Sequence, residues 1–501
     1  HTLGVTLLQS IQEDKRESVN VAMENLPADN LKYYDLGSGL VTNTIGSSMI
    51  KWNMASFMGR INYNYLGRYL LTVSARYDGS SRLADGHKWV LFPSAALAWR
   101  INEESFMSST SGWLDNLKLR LGFGKTGNSA VDPYQTKGTL SLIRYPFDNG
   151  GTPTIGYAPN AMANSLLTWE TTDQWNLGID FGVLRGRING TIDLYMQNTH
   201  DLLLKRQLPV VSGFPDVLSN VGKTRNKGIE VSINSMNINS KDFQWTTDLM
   251  LSSNKEEIVE LYNGKNDDIG SKWFIGQPVN VHYDYRKVGI WQNTESDLAE
   301  MAKFAANGTE FAPGDIKIQD VNGDYKITDA DKQILGNPRP KLIASMVNTF
   351  NYKGFDLSVF LYASFGAMLY NDIYAVEHCG RNGGVKVDYW TPNNPTNAYP
   401  RPSIDEERPI YITSTYYEKA DFLRVKTMTL GYTLPKTLTN KFLVEKLRVY
   451  FTAQNPFIFT NYTGIDPEAA KVNSAGNPET NGSGFGTPSV SSWIFGINLT
   501  L

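Results

Sequence analysis

With 501 residues and a formal net charge of −3, the chain has no positive excess to draw nucleic acid or an anionic membrane surface to it. Charged residues make up only 19% while aromatics reach 12%, with 26 Tyr and 11 Trp. No run approaches the roughly 18 consecutive apolar residues of a membrane-spanning helix, and Cys379, the single cysteine, excludes an internal disulfide. The mean hydropathy of −0.33 would suit a soluble protein. Strands that are apolar on one face only, however, average out in any hydropathy window. No charged-then-apolar leader stands before His1, so the sequence reads as a mature or cut piece of something longer.

Taken in chain order, alternation of apolar and polar residues predicts strands at 2–14, 54–64, 67–78, 90–101 and 116–126. The clearest runs from Gln174 to Leu184, where Trp175, Leu177, Ile179, Phe181 and Val183 share one face. Gln174, Asn176, Gly178, Asp180 and Gly182 share the other. After the turn Leu184-Arg185-Gly186-Arg187 the pattern resumes, with Ile188, Ile192, Leu194 and Met196 opposite Arg187, Asn189, Thr191, Asp193 and Gln197. Further strands fall at 225–235, 243–254, 341–351, 355–365, 421–432, 446–456 and 490–501. Most are about eleven residues long, so at ~3.3 Å per residue and ~45° tilt each covers ~25 Å, the height of an outer-membrane apolar band.

The connections alternate as well. Tight turns at Leu66-Gly67-Arg68, Leu184-Arg185-Gly186, Ser240-Lys241 and Lys353-Gly354, with somewhat longer ones at 102–115 and 434–445, interleave with long segments. The long segments are 15–53, 79–89, 127–173, 199–224, 255–340, 366–420 and 457–489. An up-and-down meander with this rhythm places every short turn at a periplasmic rim and every long loop outside the cell. The predicted fold is therefore all-β: a transmembrane, antiparallel, up-and-down β-barrel. A soluble sandwich or propeller also alternates, but sandwiches rarely keep all long loops on one side and no propeller period is seen. The last strand supports the barrel, with Trp493, Phe495, Ile497, Leu499 and Leu501 on one face. Tyr63, Tyr65, Tyr69, Tyr77 and Trp99 suit the interfacial girdles.

The long segment 255–340 holds the best local motif. Asp320, Asn322, Asp324, Thr328 and Asp331 offer side-chain oxygens, and Lys326 a backbone carbonyl, at the spacing of an EF-hand-type loop. A structural Ca2+ is expected there, although Tyr325 replaces the usual glycine at position six and Asp331 the usual Glu at position twelve. An acidic surface turn is the bland alternative. The Gly-Lys-Thr triplets at 124–126 and 222–224 lack the upstream glycine of a phosphate loop, having Leu119 and Val217 in its place. His1, His87, His200, His282 and His378 show no metal-ligand spacing, and His378 beside Cys379 is a pair too few for zinc. Asp267-Asp268 and Glu406-Glu407 read as solvated acids rather than a glycosidase pair. No enzyme is expected. Trp273, Tyr283, Tyr285, Tyr389 and Trp390 are the candidate substrate-binding residues, since aromatic faces stack on sugar rings or peptide side chains. Packing between loops would explain them equally well.

Short motifs in order along the whole chain resemble the SusC/RagA family of TonB-dependent outer-membrane transporters. They include Arg76-Tyr-Asp-Gly-Ser-Ser-Arg82, Phe92-Pro-Ser94 with Trp99-Arg-Ile101, and Leu121-Gly-Phe-Gly-Lys-Thr-Gly-Asn128. Trp169-Glu-Thr-Thr, Asn226-Lys-Gly-Ile-Glu230, Gly276-Gln-Pro278 and Gly289-Ile-Trp-Gln292 follow. Pro313-Gly-Asp315, Gly336-Asn-Pro-Arg-Pro340, Tyr389-Trp-Thr-Pro392, Ala420-Asp-Phe-Leu-Arg-Val-Lys426 and Ala453-Gln-Asn455 complete the series. The resemblance implies that 1–501 is the C-terminal part of the barrel, about 14 of roughly 22 strands. The plug, the TonB box and about eight first strands would lie in a missing N-terminal segment, which the functional unit is expected to contain. It further implies active import of oligosaccharides under a SusD-like lid lipoprotein, energised by TonB, with peptides as the alternative cargo. The rivals are a surface binding or adhesion protein whose barrel is only an anchor and, more distantly, a secreted glycan hydrolase.

Overall fold

A computed structural model describes the chain apart from residues 29, 31, 148–152, 372–385, 403–407, 440, 442–443, 469–487 and 501. His378, Cys379, Glu406, Glu407 and Leu501 therefore lie outside the described residues. Fourteen strands form one antiparallel sheet, each paired with its neighbours in sequence. They are β1 (Thr2–Glu24), β2 (Val41–Tyr65), β3 (Tyr69–Ser80), β4 (Trp89–Arg100) and β5 (Leu114–Asn128). Next come β6 (Glu170–Val183), β7 (Ile188–His200), β8 (Lys223–Asn239), β9 (Phe243–Glu260) and β10 (Leu342–Tyr352). The series closes with β11 (Phe355–Phe365), β12 (Phe422–Thr433), β13 (Lys446–Thr460) and β14 (Ser492–Thr500). Among the described residues β1 pairs only with β2, and β14 only with β13.

The turns explain the register. Lys353 and Gly354 both take positive φ, 46° and 92°, the twist a two-residue hairpin needs. A Cβ on Gly354 would come within 2.9 Å of the Thr433 carbonyl, so glycine is required twice over. From this turn the ladder Tyr352↔Phe355 to Leu342↔Phe365 runs without a slip.

The two faces of the sheet differ as the alternation requires. Trp175, Leu177 and Leu194 are 48%, 41% and 46% exposed, so the large apolar side chains point away from the protein, toward lipid. The opposite face is polar and cross-braced. Arg120 donates to Asp180 at 2.8 Å and to Asp193 at 3.0 Å, and Arg448 Nε donates to Asp356 at 2.9 Å. Gly178 makes room for the first of these, since a Cβ there would lie 2.5 Å from the Arg120 guanidinium. Aromatic belts mark both boundaries of the apolar band. Tyr65, Tyr69 and Trp99 stack in sequence at 6.2 and 6.4 Å, and at the other end Trp89 lies 5.0 Å from Tyr77 and 6.3 Å from Phe57. From Tyr69 to Tyr77 the wall rises roughly 19 Å at ~3.3 Å per residue and ~45° tilt.

Segment 15–53 departs from the sequence reading. It is mostly strand, because β1 and β2 keep pairing out to Glu24↔Val41. Ladder hydrogen bonds carry this extension; its side chains mix ion pairs, Lys51–Glu13 at 3.0 Å and Lys15–Glu17 at 2.6 Å, with exposed Val19, Val21, Ile45 and Met49. The external segments 127–173 and 199–224 likewise contain hairpins, Thr139–Tyr145 with Thr154–Ala161 and Leu203–Gln207 with Asp216–Asn220.

Candidate ligand cavity and calcium-type loop

The two longest external segments are not loose. Lys287–Ile290 pairs with Ile316–Ile318, His282–Tyr285 with Lys332–Gly336, and Met368–Tyr370 with Tyr417–Lys419. Around these ladders Ile290, Ile316, Ile318, Trp390, Ile412 and Tyr416 form a buried cluster. A second cluster of Trp291, Met301 and Phe304 lies under helix α1 (Glu295–Ala306). Sequence reasoning passed over α1, yet its signal is present: Thr294 caps the helix by accepting from the Asp297 amide at 3.3 Å. Leu298, Met301 and Phe304 then recur at helical spacing. The external segments thus build a folded cap with a core of its own. It is joined to the wall by Arg339–Glu256 at 3.2 Å and by the Gly276 amide donating to the Ile258 carbonyl at 2.8 Å.

The calcium-type loop is part of this cap. Asp320 accepts from the Gly323 and Tyr325 amides at 2.7 and 2.8 Å, and Asp324 from the Lys326 amide at 2.8 Å. Asp331 is fully buried and accepts from Val321 and Thr328 amides at 2.9 and 2.8 Å. These bonds shape the loop and leave carboxylate lone pairs for a cation. Among the described residues no three His, Cys, Asp or Glu side chains gather into a metal cage. A cation here would therefore also draw on Asn322, Thr328 and the Lys326 carbonyl. Tyr325, the departure at position six, holds φ at 57°, its ring 5.5 Å from Phe304 with Lys303 Nζ 5.2 Å above it.

The five candidate aromatics fare differently. Trp390 is 6% exposed in the core cluster, where Nε1 donates to Gln292 at 2.9 Å, so its face is spent on packing. This corrects the expectation that it meets ligand. Tyr389, its neighbour, is exposed, and Trp273 is half-buried with its backbone paired to Asp268. Tyr283 packs on Phe274 at 4.8 Å and lines a cavity of about 560 Å³ with Asp284, Asp329, Lys332, Tyr370 and Tyr417. Tyr285 stands behind that wall, its hydroxyl 3.3 Å from Asp329 and its ring 5.0 Å from Tyr411. Sequence reasoning left Asp284, Asp329, Lys332 and Tyr370 out of the site, because only the pairing of distant segments brings them together.

The cavity's charges follow from its contacts. Lys332, 2.6 Å away, and then Tyr285 hold the Asp329 carboxyl below the usual carboxylate range. Burial first, and Asp329 second, push the Tyr285 phenol up to about 12. The Tyr417 phenol is pushed up by burial first, and then by Asp284, whose carboxylate accepts from its hydroxyl at 3.0 Å. His282 is buried beside Tyr417 and shares a hydrogen bond with the Met368 carbonyl at 2.8 Å. Desolvation lowers its pKa and favours the neutral ring. The site presents tyrosine faces beside the acidic side chains of Asp284 and Asp329 and the basic one of Lys332. Asp267 and Asp268 hold a turn, accepting from the Ile275 and Ser271 amides at 2.7 and 3.1 Å, and Asp268 also accepts from the Tyr262 hydroxyl at 3.3 Å.

A sequentially paired antiparallel sheet, apolar outside and polar inside, with tight turns at one rim and a folded cap at the other, defines an outer-membrane β-barrel. Residues 25–456 match the family described as TonB dependent receptor-like, beta-barrel, and the chain belongs to that family, in its SusC/RagA-like branch. It is 32% identical over 518 residues, all of this chain and 50% of the relative, to TonB-dependent receptor P3 of Formosa agariphila. It is 35% identical over 434 residues, 83% of this chain and 41% of the relative, to TonB-dependent receptor SusC of Bacteroides thetaiotaomicron. The solved RagAB peptide transporter superposes with a TM-score of 0.81 at 23% identity, covering 99% of this chain and 53% of that one. The chain spans about half the length of the curated relatives it matches.

Proposed function

We infer that this chain is the wall and loop cap of a transporter that imports oligosaccharides across the outer membrane. The observation that carries the cargo class is the cap cavity, where Tyr283, Tyr370 and Tyr417 stand beside Asp284 and Asp329. Sugar rings stack on such faces and their hydroxyls donate to such carboxylates. TonB drives the cycle through an N-terminal plug, a SusD-like lipoprotein closes over the cap, and no bond is made or broken. The backbone edges of β1 and β14 support further strands, supplied by an N-terminal segment, because each unsatisfied group in lipid costs several kcal/mol. Calcium, held by Asp320, Asn322, Asp324, Lys326, Thr328 and Asp331, staples the cap.

One observation favours a second reading, peptide cargo. Lys332 and Asp329 put both signs of charge at the cavity, as the charged ends of a peptide would require. The two are separated by uptake of labelled neutral oligosaccharides and labelled peptides in cells carrying the full-length protein, with and without TonB. TonB-dependent oligosaccharide accumulation, reduced by Tyr283→Ala, is the expected result. Accumulation of peptide alone would replace the cargo class, and surface binding without accumulation would return the anchored binding protein.

A further inference from the structure

The lipid-facing wall from β5 to β9 breaks its own pattern at the external boundary. Strand register stacks three cross-strand rows there. The lowest is apolar, with Leu121, Leu177, Leu194 and Ile229 ending at Ser253. The middle row starts as an aromatic girdle, Phe123 and Trp175 with rings 4.8 Å apart and Met196 beside them, but it ends in Lys227 opposite Lys255. The highest is charged: Lys125, Asp173, Asn198, Arg225 and Glu257.

The charges at the β8–β9 end of these rows do not balance. Glu257 is shared between Arg225 at 3.4 Å and Lys255 at 3.4 Å, and Lys227 makes no ion pair among the described residues. Asp173, on the β5–β7 side, is already approached by Lys125 at 3.8 Å and His200 at 3.5 Å. Three cations against one carboxylate leave two positive charges in excess. Like charges directly opposite on a sheet destabilise it, so this arrangement calls for an anion. Its height tells which one. On β8 and β9 themselves the outward apolar face (Val231 and Ile229, with Leu251 opposite) gives way to Lys227 and Lys255, so the ammonium groups begin where the apolar band ends and lipid headgroups begin. A cleft of about 1090 Å³ lies between Trp175, Leu194, Lys227 and Lys255 of the wall and Pro278 and Arg339 of the cap, the Glu256 carboxylate on its border being paired to Arg339.

We propose that Lys227 and Lys255, with Arg225 above them, bind the phosphate of a phosphorylated outer-leaflet glycolipid whose acyl chains lie along Leu177, Leu194 and Ile229. Charge-assisted contacts to phosphate oxygens replace the missing counter-charge, and the apolar row beneath supplies the chain contacts. The proposal needs only the barrel and its register, so it stands whatever the cargo is.

The test uses the full-length protein extracted from outer membranes, with native mass spectrometry reading the lipid retained. Nanodiscs containing lipid A or its dephosphorylated form then give relative affinities. Lys227→Gln/Lys255→Gln is compared with Lys205→Gln, an exposed lysine in another external segment, and heat-modifiable gel mobility verifies folding. Wild type and Lys205→Gln are expected to retain lipid A and to prefer it over the dephosphorylated form. The double variant is expected to bind it roughly 30-fold more weakly, about fivefold per lysine. Equal retention by the double variant overturns the proposal, as does equal binding of the two lipids. Release of the lipid by inorganic phosphate would show a simple anion site instead, and a protein retained in the lipid's place would show a protein interface; either result also overturns it.

Discussion

Replacing Trp390 by alanine tests whether the cap is a folded unit that positions the cavity rather than a set of ligand-facing aromatics. The side chain is 6% exposed among Ile290, Ile316, Ile318, Ile412 and Tyr416, and its Nε1 donates to Gln292 at 2.9 Å. A buried Trp→Ala change costs ~3–5 kcal/mol, and the unpaired Gln292 oxygen about 1 kcal/mol within or beyond that range. At ~1.4 kcal/mol per decade, ~4 kcal/mol raises the open population of the cap roughly a thousandfold. Hydrogen exchange read by mass spectrometry on the full-length protein reports this directly. Peptides covering 287–292, 316–318 and 412–419 should exchange faster, while β6 to β9 stay protected. Cargo affinity should fall with them, and Trp390→Phe should restore most of both. If Trp390→Ala weakens cargo binding while cap exchange is unchanged, Trp390 is a contact residue and the packing argument fails.

Three further outcomes are expected. Chelating calcium, or Asp320→Ala, should lower the melting temperature of the cap; at free calcium 100 times the dissociation constant the stabilisation at stake is about 2.7 kcal/mol, and no shift on chelation would remove calcium from the loop. Burial lowers the Lys287 ammonium from 10.5 to about 8, with Nζ 2.6 Å from the Ala398 carbonyl. Between those values the unfolded cap binds more protons than the folded one, so its melting temperature should rise as pH goes from about 8 to 10.5. Lys287→Met should abolish that rise. Gly178→Ala places a methyl 2.5 Å from the Arg120 guanidinium and 2.6 Å from Asp193. It should cost ~1–3 kcal/mol in denaturant unfolding of the barrel from vesicles, and an unchanged midpoint would refute the role given to the glycine.

The wall was legible because lipid imposes a strict rule on it. Every side chain of Trp175, Leu177 and Ile179 must face outward and every neighbour inward, so one period survives through strand after strand. The outer halves of β1 and β2 escaped notice because that rule lapses above the membrane. The charged run Glu13 to Glu17 interrupts the alternation, which resumes only briefly at Val19, Val21 and Met23, with both valines exposed. The cap was illegible for a different reason. Its core takes Ile290, Ile316, Trp390 and Ile412 from separate segments, so no window of sequence contains the pattern that buries them. Tyr389 and Trp390 are adjacent and chemically alike, yet one is exposed and the other buried. Nothing local distinguishes them.

The calcium-type loop shows how the two levels join. Tyr325 looked like a flaw at position six, where the chain needs positive φ and glycine costs least. Its ring repays the strain by packing on Phe304 under Lys303, which ties the loop to α1 and to the cluster around Trp291. Ile327, two residues on, packs against that cluster and also against the one containing Trp390. Asp329, two further and still within the loop, turns its carboxylate to the cavity beside Lys332 and Tyr417. Within ten residues the chain passes from Asp320, which would grip a cation, to a wall that would touch cargo. A cation that fixes Asp320 and Asp324 therefore also fixes the placement of Asp329. Cargo affinity should then depend on calcium although no cargo atom need approach the metal.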